Sequence, residues 1–342
     1  KESVLNAIEK RTLLGVSEDI KIITDTKFPP KIRLFAKNSR EVFYVPTSED
    51  WRLPINLLWQ ATEMPAALIV TPTLSMLTHR DTGKKASAAR YSYTGIGNPD
   101  YNIQFIASLA SLEKINGFSL RSAGYVEQLS SLSQLPSTKE EVELSRMNFD
   151  DNSRVFLGSD ASEDKLMDVD WYDSEIIHFA THALISGEMK GIEEPAIALS
   201  RPLNGDKFDG LLTATDIRGF NFPNSTVLLS GCRTATDYGA QSANGITGLS
   251  LAFLTQGAKN LLVTQWQVPD ESSSRLVSHI TQNISEDVSA YSVVRATQEI
   301  ADEYIDPFDW AAYIFISNPG RYNSNRVPHS SSGSGYSSIE FA

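Results

Sequence analysis

The chain has 342 residues and 37.7 kDa, enough for one large or two ordinary globular domains and too long for a miniprotein that relies on disulfide staples. With 41% hydrophobic and 21% charged residues it can bury a substantial core, while 30 Lys and Arg against 42 Asp and Glu leave a net charge of −12 that argues against nucleic acid or an anionic membrane as partner. No run of 18 apolar residues and no charged-then-apolar leader is present, so a soluble, cytoplasmic protein is expected.

The first forty residues, with KFPPKIRLF near their middle, mix apolar clusters with Lys and Pro and set no clear period. From Glu41, EVFYVP reads as a strand running into RLPINLLW, and AALIVTP (66–72) as a second strand leading into a helix-like LSMLTHR. GIGNPDY (95–101) has the residues of a turn and is expected to be a loop; its GxG lacks the third glycine of a dinucleotide fingerprint. Residues 102–134, rich in Ser and Leu, predict a loop and an irregular helix. Ser137 followed by Glu140 has the pattern of a capping box at a helix start. Next come a strand, RVFLG (154–158), a helix-like acidic stretch, ASEDKLMDVDWYD, and a strand, IIHFATHA (176–183). An acidic, Gly-bearing loop precedes LLTATDIRGF, expected as a helix opened by Thr213 or Thr215, and then STVLLSGC (225–232), an apolar strand. A helix over about 248–256 ended by Gly257, the strand KNLLVTQW (259–266) and a long helix over about 270–283 follow. Strand–helix alternation with near-continuous apolar strands predicts an α/β fold with a mostly parallel sheet covered on both faces and right-handed crossovers. The Ser- and Gly-rich residues 322–342 read as a disordered tail, and no internal repeat is visible.

A single cysteine, Cys232, excludes internal disulfides and thiolate metal cages; it is either a small buried hydrophobe or a nucleophile. Charge is uneven: residues 1–136 carry 16 basic and 13 acidic side chains, residues 137–210 carry 7 and 17, and residues 211–342 carry 7 and 12. The acidic middle is a solvated face or a field that draws in a basic substrate.

In an open parallel sheet, reactive side chains gather at the carboxyl ends of the strands, where the sheet holds loop ends rigid. IIHFATH brings His182 to such an end, and STVLLSGC brings Cys232 to another, fifty residues later. A cysteine peptidase needs a thiol whose proton can leave, a base within reach and backbone N–H groups aimed at the carbonyl oxygen. Caspase-type peptidases place the histidine about fifty residues before the cysteine. Of the other histidines, His329 lies in the tail, His79 in a surface-like helix and His279 mid-helix, while His178 lies inside an apolar strand and is expected to be a satisfied core residue. His178 and His182 have the spacing of HExxH, but Phe179 stands where the glutamate base belongs. GLSLA (248–252) lacks the last glycine of a nucleophile elbow, and no P-loop, Gly-rich kinase loop or EF-hand sequence occurs, so neither metal nor cofactor is expected.

HFATHA, LLTATDIRGFNFPNSTVLLSGCRTA, NGITGLSLAFLTQGAKNLLVTQWQVPD and DPFDWAAYIFI together resemble the CHAT family of caspase-like peptidases, relatives of separase, and upstream blocks extend the resemblance over roughly residues 40–320. The resemblance implies a caspase-like fold: an N-terminal extension (1–40), a smaller α/β subdomain (41–145), a catalytic subdomain (146–321) and a tail (322–342). It implies His182 as catalytic histidine, Cys232 as nucleophile, and the backbone N–H groups of Cys232 and Ala183 as the oxyanion site. The family often has Gly after the histidine, so Ala183 narrows the approach of substrate backbone. Separase-like members read a basic P1 side chain through an acid after the strand that follows the cysteine, and Asp270 matches that position; it alternatively caps the following helix. Trp266 is a packing residue or a pocket wall, Trp310 a packing residue, and Asp237 a solvated loop acid or a substrate contact. The implied function is cleavage of a protein substrate after Arg or Lys under control of a protein partner, in bacterial defence or programmed death, the alternative being a silent scaffold that binds partner proteins.

Overall fold

The computed structural model describes residues 2–77, 91–101, 129–188, 192–201, 208–231, 248–284, 289–304 and 306–318. Short helices open the chain: α1 (Glu2–Glu9), a 3-10 turn (Leu13–Val16), α2 (Ser17–Lys27) and α3 (Pro30–Ala36). Each has three turns or fewer and buries only a few side chains, such as Val4, Ala7 and Ile8 on α1, which is why no period emerges from the sequence there.

The apolar runs then form strands β1 (Glu41–Tyr44), β2 (Ala67–Val70), β3 (Tyr93–Pro99), β4 (Arg154–Gly158), β5 (Ile176–Ala180), β9 (Thr226–Leu229), β10 (Asn260–Thr264) and β11 (Tyr313–Ser317) of one eight-stranded sheet. The order is β1-β2-β11-β10-β9-β5-β3-β4, and every neighbouring pair is parallel except β10 with β11. The sheet therefore consists of two parallel halves that meet head to tail, and the carboxyl ends of β3, β5, β9 and β10 share one rim. Strands from both sides of residue 145 belong to it. The chain is α/β with a mostly parallel central sheet flanked by helices, as expected.

Helices α4 (Ile55–Gln60), α5 (Pro136–Arg146), α6 (Glu163–Met167), α7 (Ala214–Ile217), α8 (Gly248–Thr255), α9 (Asp270–Ile284) and α10 (Ala290–Glu303) complete the layers. Side chains alternate along β5: His178 faces Glu141 of α5, while Phe179 stacks toward Phe253 of α8 with ring centroids 5.7 Å apart. The two helices thus cover opposite faces of that strand. A second, antiparallel sheet of β6 (Ala183–Leu184), β7 (Ala196–Ala198) and β8 (Leu211–Thr213) runs through the stretch that the sequence suggests is an acidic loop and takes in the first three residues of LLTATDIRGF, which are strand and not helix.

Three local expectations are corrected. GIGNPDY is not a loop: Tyr93–Pro99 is an interior strand between β5 and β4. Its glycines are there for close packing, because a Cβ on Gly95 would lie 2.5 Å from Val142 Cγ1 and one on Gly97 2.8 Å from the Thr138 carbonyl oxygen, both on α5. The capping box expected at Ser137 is absent, because α5 starts one residue earlier with Pro136 in its first turn and Leu135 as cap. Proline needs no partner for a missing N–H there. IIHFATHA is not one strand but two, β5 ending at Ala180 and β6 starting at Ala183. At α7 the expectation holds, with Thr213 and Asp216 forming the capping box. The expectations for residues 102–128, His79, His329 and the tail lie outside the described residues.

Candidate active site

The break between β5 and β6 gives His182 its place. Thr181 Oγ1 donates to the Ala198 carbonyl at 2.6 Å and accepts from the Tyr101 hydroxyl at 2.5 Å, and the Ala198 N–H donates to the His182 carbonyl at 2.9 Å. The histidine backbone is thereby clamped to β7. Its ring lies 5.5 Å from the Tyr101 ring, and Nε2 lies 2.9 Å from the Ser133 carbonyl oxygen. A carbonyl only accepts, so Nε2 carries the hydrogen and Nδ1 keeps the lone pair.

The same clamp orients the next residue. Since the residue 182–198 pair is the hydrogen-bonded one of this antiparallel ladder, the 183–197 pair is the non-hydrogen-bonded one, and the Ala183 N–H turns away from β7. What lies on that side is Gly231. A Cβ on Gly231 would sit 2.2 Å from the Thr181 carbonyl oxygen, 3.2 Å from the Ala183 nitrogen and 3.4 Å from the Ala183 Cβ, so only glycine fits. Gly231 is pinned from β10 as well, by Thr264 Oγ1 donating to its carbonyl at 2.6 Å, and Ser230 N–H donates to the Phe179 carbonyl at 3.1 Å. The chain therefore enters Cys232 from a glycine wedged between the two neighbours of His182. Cys232 itself and Asp237 lie outside the described residues.

The other sequence candidates divide. Asp270 is exposed and begins α9, six residues past the carboxyl end of β10, on the rim that also holds the carboxyl end of β5. Among the described residues its side chain makes no hydrogen bond or ion pair, so the capping alternative is not realised. Trp266 is only 3% exposed; its ring packs on Phe308 and Nε1 donates to the Phe308 carbonyl at 2.9 Å. It is a packing residue rather than an open pocket wall, as is Trp310 at 7% exposure. His279 lies on the exposed face of α9 beside Glu299. His178 is the fully buried core residue expected, with Tyr93 OH 2.7 Å from Nδ1, and Glu141 Oε1 at 2.9 Å and Ser230 Oγ at 3.1 Å from Nε2.

Ser133, Tyr101, Thr181 and Gly231 go unnoticed in the sequence. The Ser133 contribution is a backbone carbonyl, which any residue supplies, so no residue type could betray it. Gly231 was the one with a signal, a glycine at a strand end directly before a candidate nucleophile.

Human tetratricopeptide repeat protein 28 is 24% identical over 201 residues and its mouse counterpart 25% over 199; each match covers 49% of this chain and 8% of the relative. The chain thus corresponds to a small part of those relatives. Among solved structures, the complex of Porphyromonas gingivalis RgpB pro- and mature domains is 8% identical with a TM-score of 0.47 over 89% of this chain and 69% of that one. The Arg-specific cysteine proteinase gingipain R gives 7% and 0.44 over 75% and 55%, and the Saccharomyces cerevisiae separase–securin complex 12% and 0.45 over 81% and 16%. The CHAT domain profile matches residues 18–318, and the chain belongs to the CHAT domain family.

Proposed function

We propose that the chain is a cysteine endopeptidase in which Cys232 and His182 act as a dyad on a protein substrate. The observation that carries this reading is the seat of Gly231: the residue before the cysteine is wedged against Thr181 and Ala183, the residues on either side of the histidine. The sulfur attacks the scissile carbonyl carbon, forming a C–S bond and placing the electron pair on the carbonyl oxygen. The Ala183 N–H, turned out of its ladder, and the Cys232 N–H stabilise that oxyanion. The thiol proton passes to Nδ1 of His182, held in place by Ser133, and goes on to the departing amine as the C–N bond breaks. Water then hydrolyses the thioester.

Asp270 supplies the preference for a basic P1 side chain, since it is exposed, has no side-chain partner among the described residues and stands on the same rim. A charge-assisted contact of this kind is worth about 1.5–3 kcal/mol, or about 10- to 100-fold in kcat/KM. Control lies in a separate protein segment or partner, in keeping with the tetratricopeptide repeats named in the human and mouse relatives.

Profiling a peptide library with wild type and Cys232→Ala tests the reading. Cleavage after Arg and Lys by wild type alone is expected, with Asp270→Asn lowering that preference at least about tenfold. Cleavage after Asp or only after apolar residues would remove the role of Asp270. Equal turnover by Cys232→Ala would remove the peptidase.

A further inference from the structure

Beneath the candidate dyad lies a buried polar cluster that the proposed chemistry does not use. Tyr93 on β3, His178 on β5 and Glu141 on α5 are all at most 1% exposed, and they converge on Ser230, two residues before Cys232. Glu141 Oε1 lies 2.7 Å from Ser230 Oγ and 2.9 Å from His178 Nε2, and His178 Nδ1 lies 2.7 Å from the Tyr93 hydroxyl.

The donor inventory fixes the roles. A carboxylate only accepts, so Ser230 O–H and His178 Nε2–H both donate to Glu141, and in a neutral ring Nδ1 then accepts from the Tyr93 hydroxyl. Every group is then satisfied, as a buried network must be to be stable. Burial, and then the Glu141 charge, push the Tyr93 hydroxyl well above its usual range, which keeps it a donor. The same residue types build a serine nucleophile only when the acid holds the nitrogen away from the serine. Here Tyr93 holds that nitrogen while Glu141 and Ser230 share the other, and the imidazole is sealed from solvent, so the cluster is no second catalytic triad.

We propose that Tyr93, His178 and Glu141 are positioning residues that act through Ser230 to set the reactivity of Cys232. What that thiol does for function rests on the peptidase reading; that the segment leading into it is held by this network does not. Ser230 and Gly231 are tied on three sides, by Glu141 from α5, by the Phe179 carbonyl from β5 and by Thr264 from β10. The first tie, and a longer contact of the same hydroxyl with the Phe179 carbonyl at 3.4 Å, depend on the side chain of residue 230; the backbone ties do not. Releasing it frees the segment to rotate, and a displacement of about 1 Å at a catalytic group can cost on the order of 100-fold.

Because Cys232 is the sole cysteine, the pH dependence of its alkylation by iodoacetamide reads this one thiol whether or not the protein cuts peptides. In wild type the midpoint should lie below the ordinary thiol value of about 8.5. Ser230→Ala should move it up by about one unit and slow the reaction at pH 7 about tenfold, with Ser230→Thr restoring most of the loss. Glu141→Gln should slow the reaction of the fully ionised thiol as Ser230→Ala does, while loss of its charge by itself favours the thiolate, and the double variant should be no slower than Glu141→Gln alone. Thermal melts accompany each variant; where Glu141→Gln does not fold, the Ala and Thr pair at Ser230 decides. Superimposable profiles for wild type and Ser230→Ala would overturn the proposal. His182→Ala separates the two ideas: if it leaves the profile unchanged while Ser230→Ala shifts it, the dyad fails and the network stands.

Discussion

At Gly231 the side chain that is missing matters more than most that are present. A methyl group there would meet the Thr181 carbonyl at 2.2 Å, a backbone atom that cannot swing aside. Gly231→Ala must therefore displace either the segment entering Cys232 or the one carrying His182. Labelling by a peptide electrophile should fall at least about 100-fold, whereas a clash absorbed elsewhere would leave the rate within a factor of two of wild type. Tyr101→Phe is milder: it removes one hydrogen bond to Thr181 and leaves the ring beside His182, so a stability loss of about 1 kcal/mol in denaturant titration is expected. His182 was legible because a histidine just past an apolar strand is a chemical statement in itself. Its orienting partner was not, since the carbonyl of Ser133 arrives from 49 residues away and carries no signature in the sequence.

At the scale of elements, β3 and α5 approach so closely that glycine is required between them. Gly97→Ala places a Cβ 2.8 Å from the Thr138 carbonyl and should destabilise by about 1–3 kcal/mol, with α5 forced outward. An unchanged melting temperature would show that the helix gives way freely. Thr213→Ala removes the hydroxyl that accepts from the Asp216 N–H, the side-chain half of a reciprocal cap on a helix of only four residues, and should cost about 1 kcal/mol by the same measurement. The apolar strands β5, β9 and β10 could be read from pattern, because burial on both faces leaves continuous hydrophobic runs, and β4, a half-buried edge strand, from its short apolar run alone. β3 could not: Gly, Asn and Pro are turn formers locally, and only the packing of α5, forty residues on, makes a strand of them. The small sheet β6-β7-β8 was hidden for a related reason, as strands of two or three residues are too short to show alternation.

For the whole molecule, the acidic surplus is partly buried, and that has a pH signature. Glu163 is 5% exposed and accepts from the backbone N–H groups of Asp209 and Gly210 at 3.2 and 3.3 Å. Burial, then the nearby Asp209 and Asp216 charges, push its carboxyl up from 4.5 to about 7. The native fold thus holds that proton more tightly than the unfolded chain does. The resulting stability is complete below about 4.5 and is lost as pH rises through about 7. Glu163→Gln keeps an acceptor for both N–H groups without the charge, so it should stabilise the fold at pH 8 by on the order of 1–2 kcal/mol and much less at pH 5. Equal melting shifts at both pH values would contradict this. The direction of the strands was likewise a property of the whole: β1, β2 and β11 run against the other five, and nothing in their own residues announces it.

The meeting of His182 and Cys232 at one rim of the sheet is most directly tested by trapping the protein with a peptide bearing a C-terminal electrophile after Arg and locating the adduct by mass spectrometry. The account predicts a single adduct on Cys232, formed at least about 100-fold more slowly in His182→Ala. Labelling of Cys232 at the same rate in wild type and His182→Ala would contradict it.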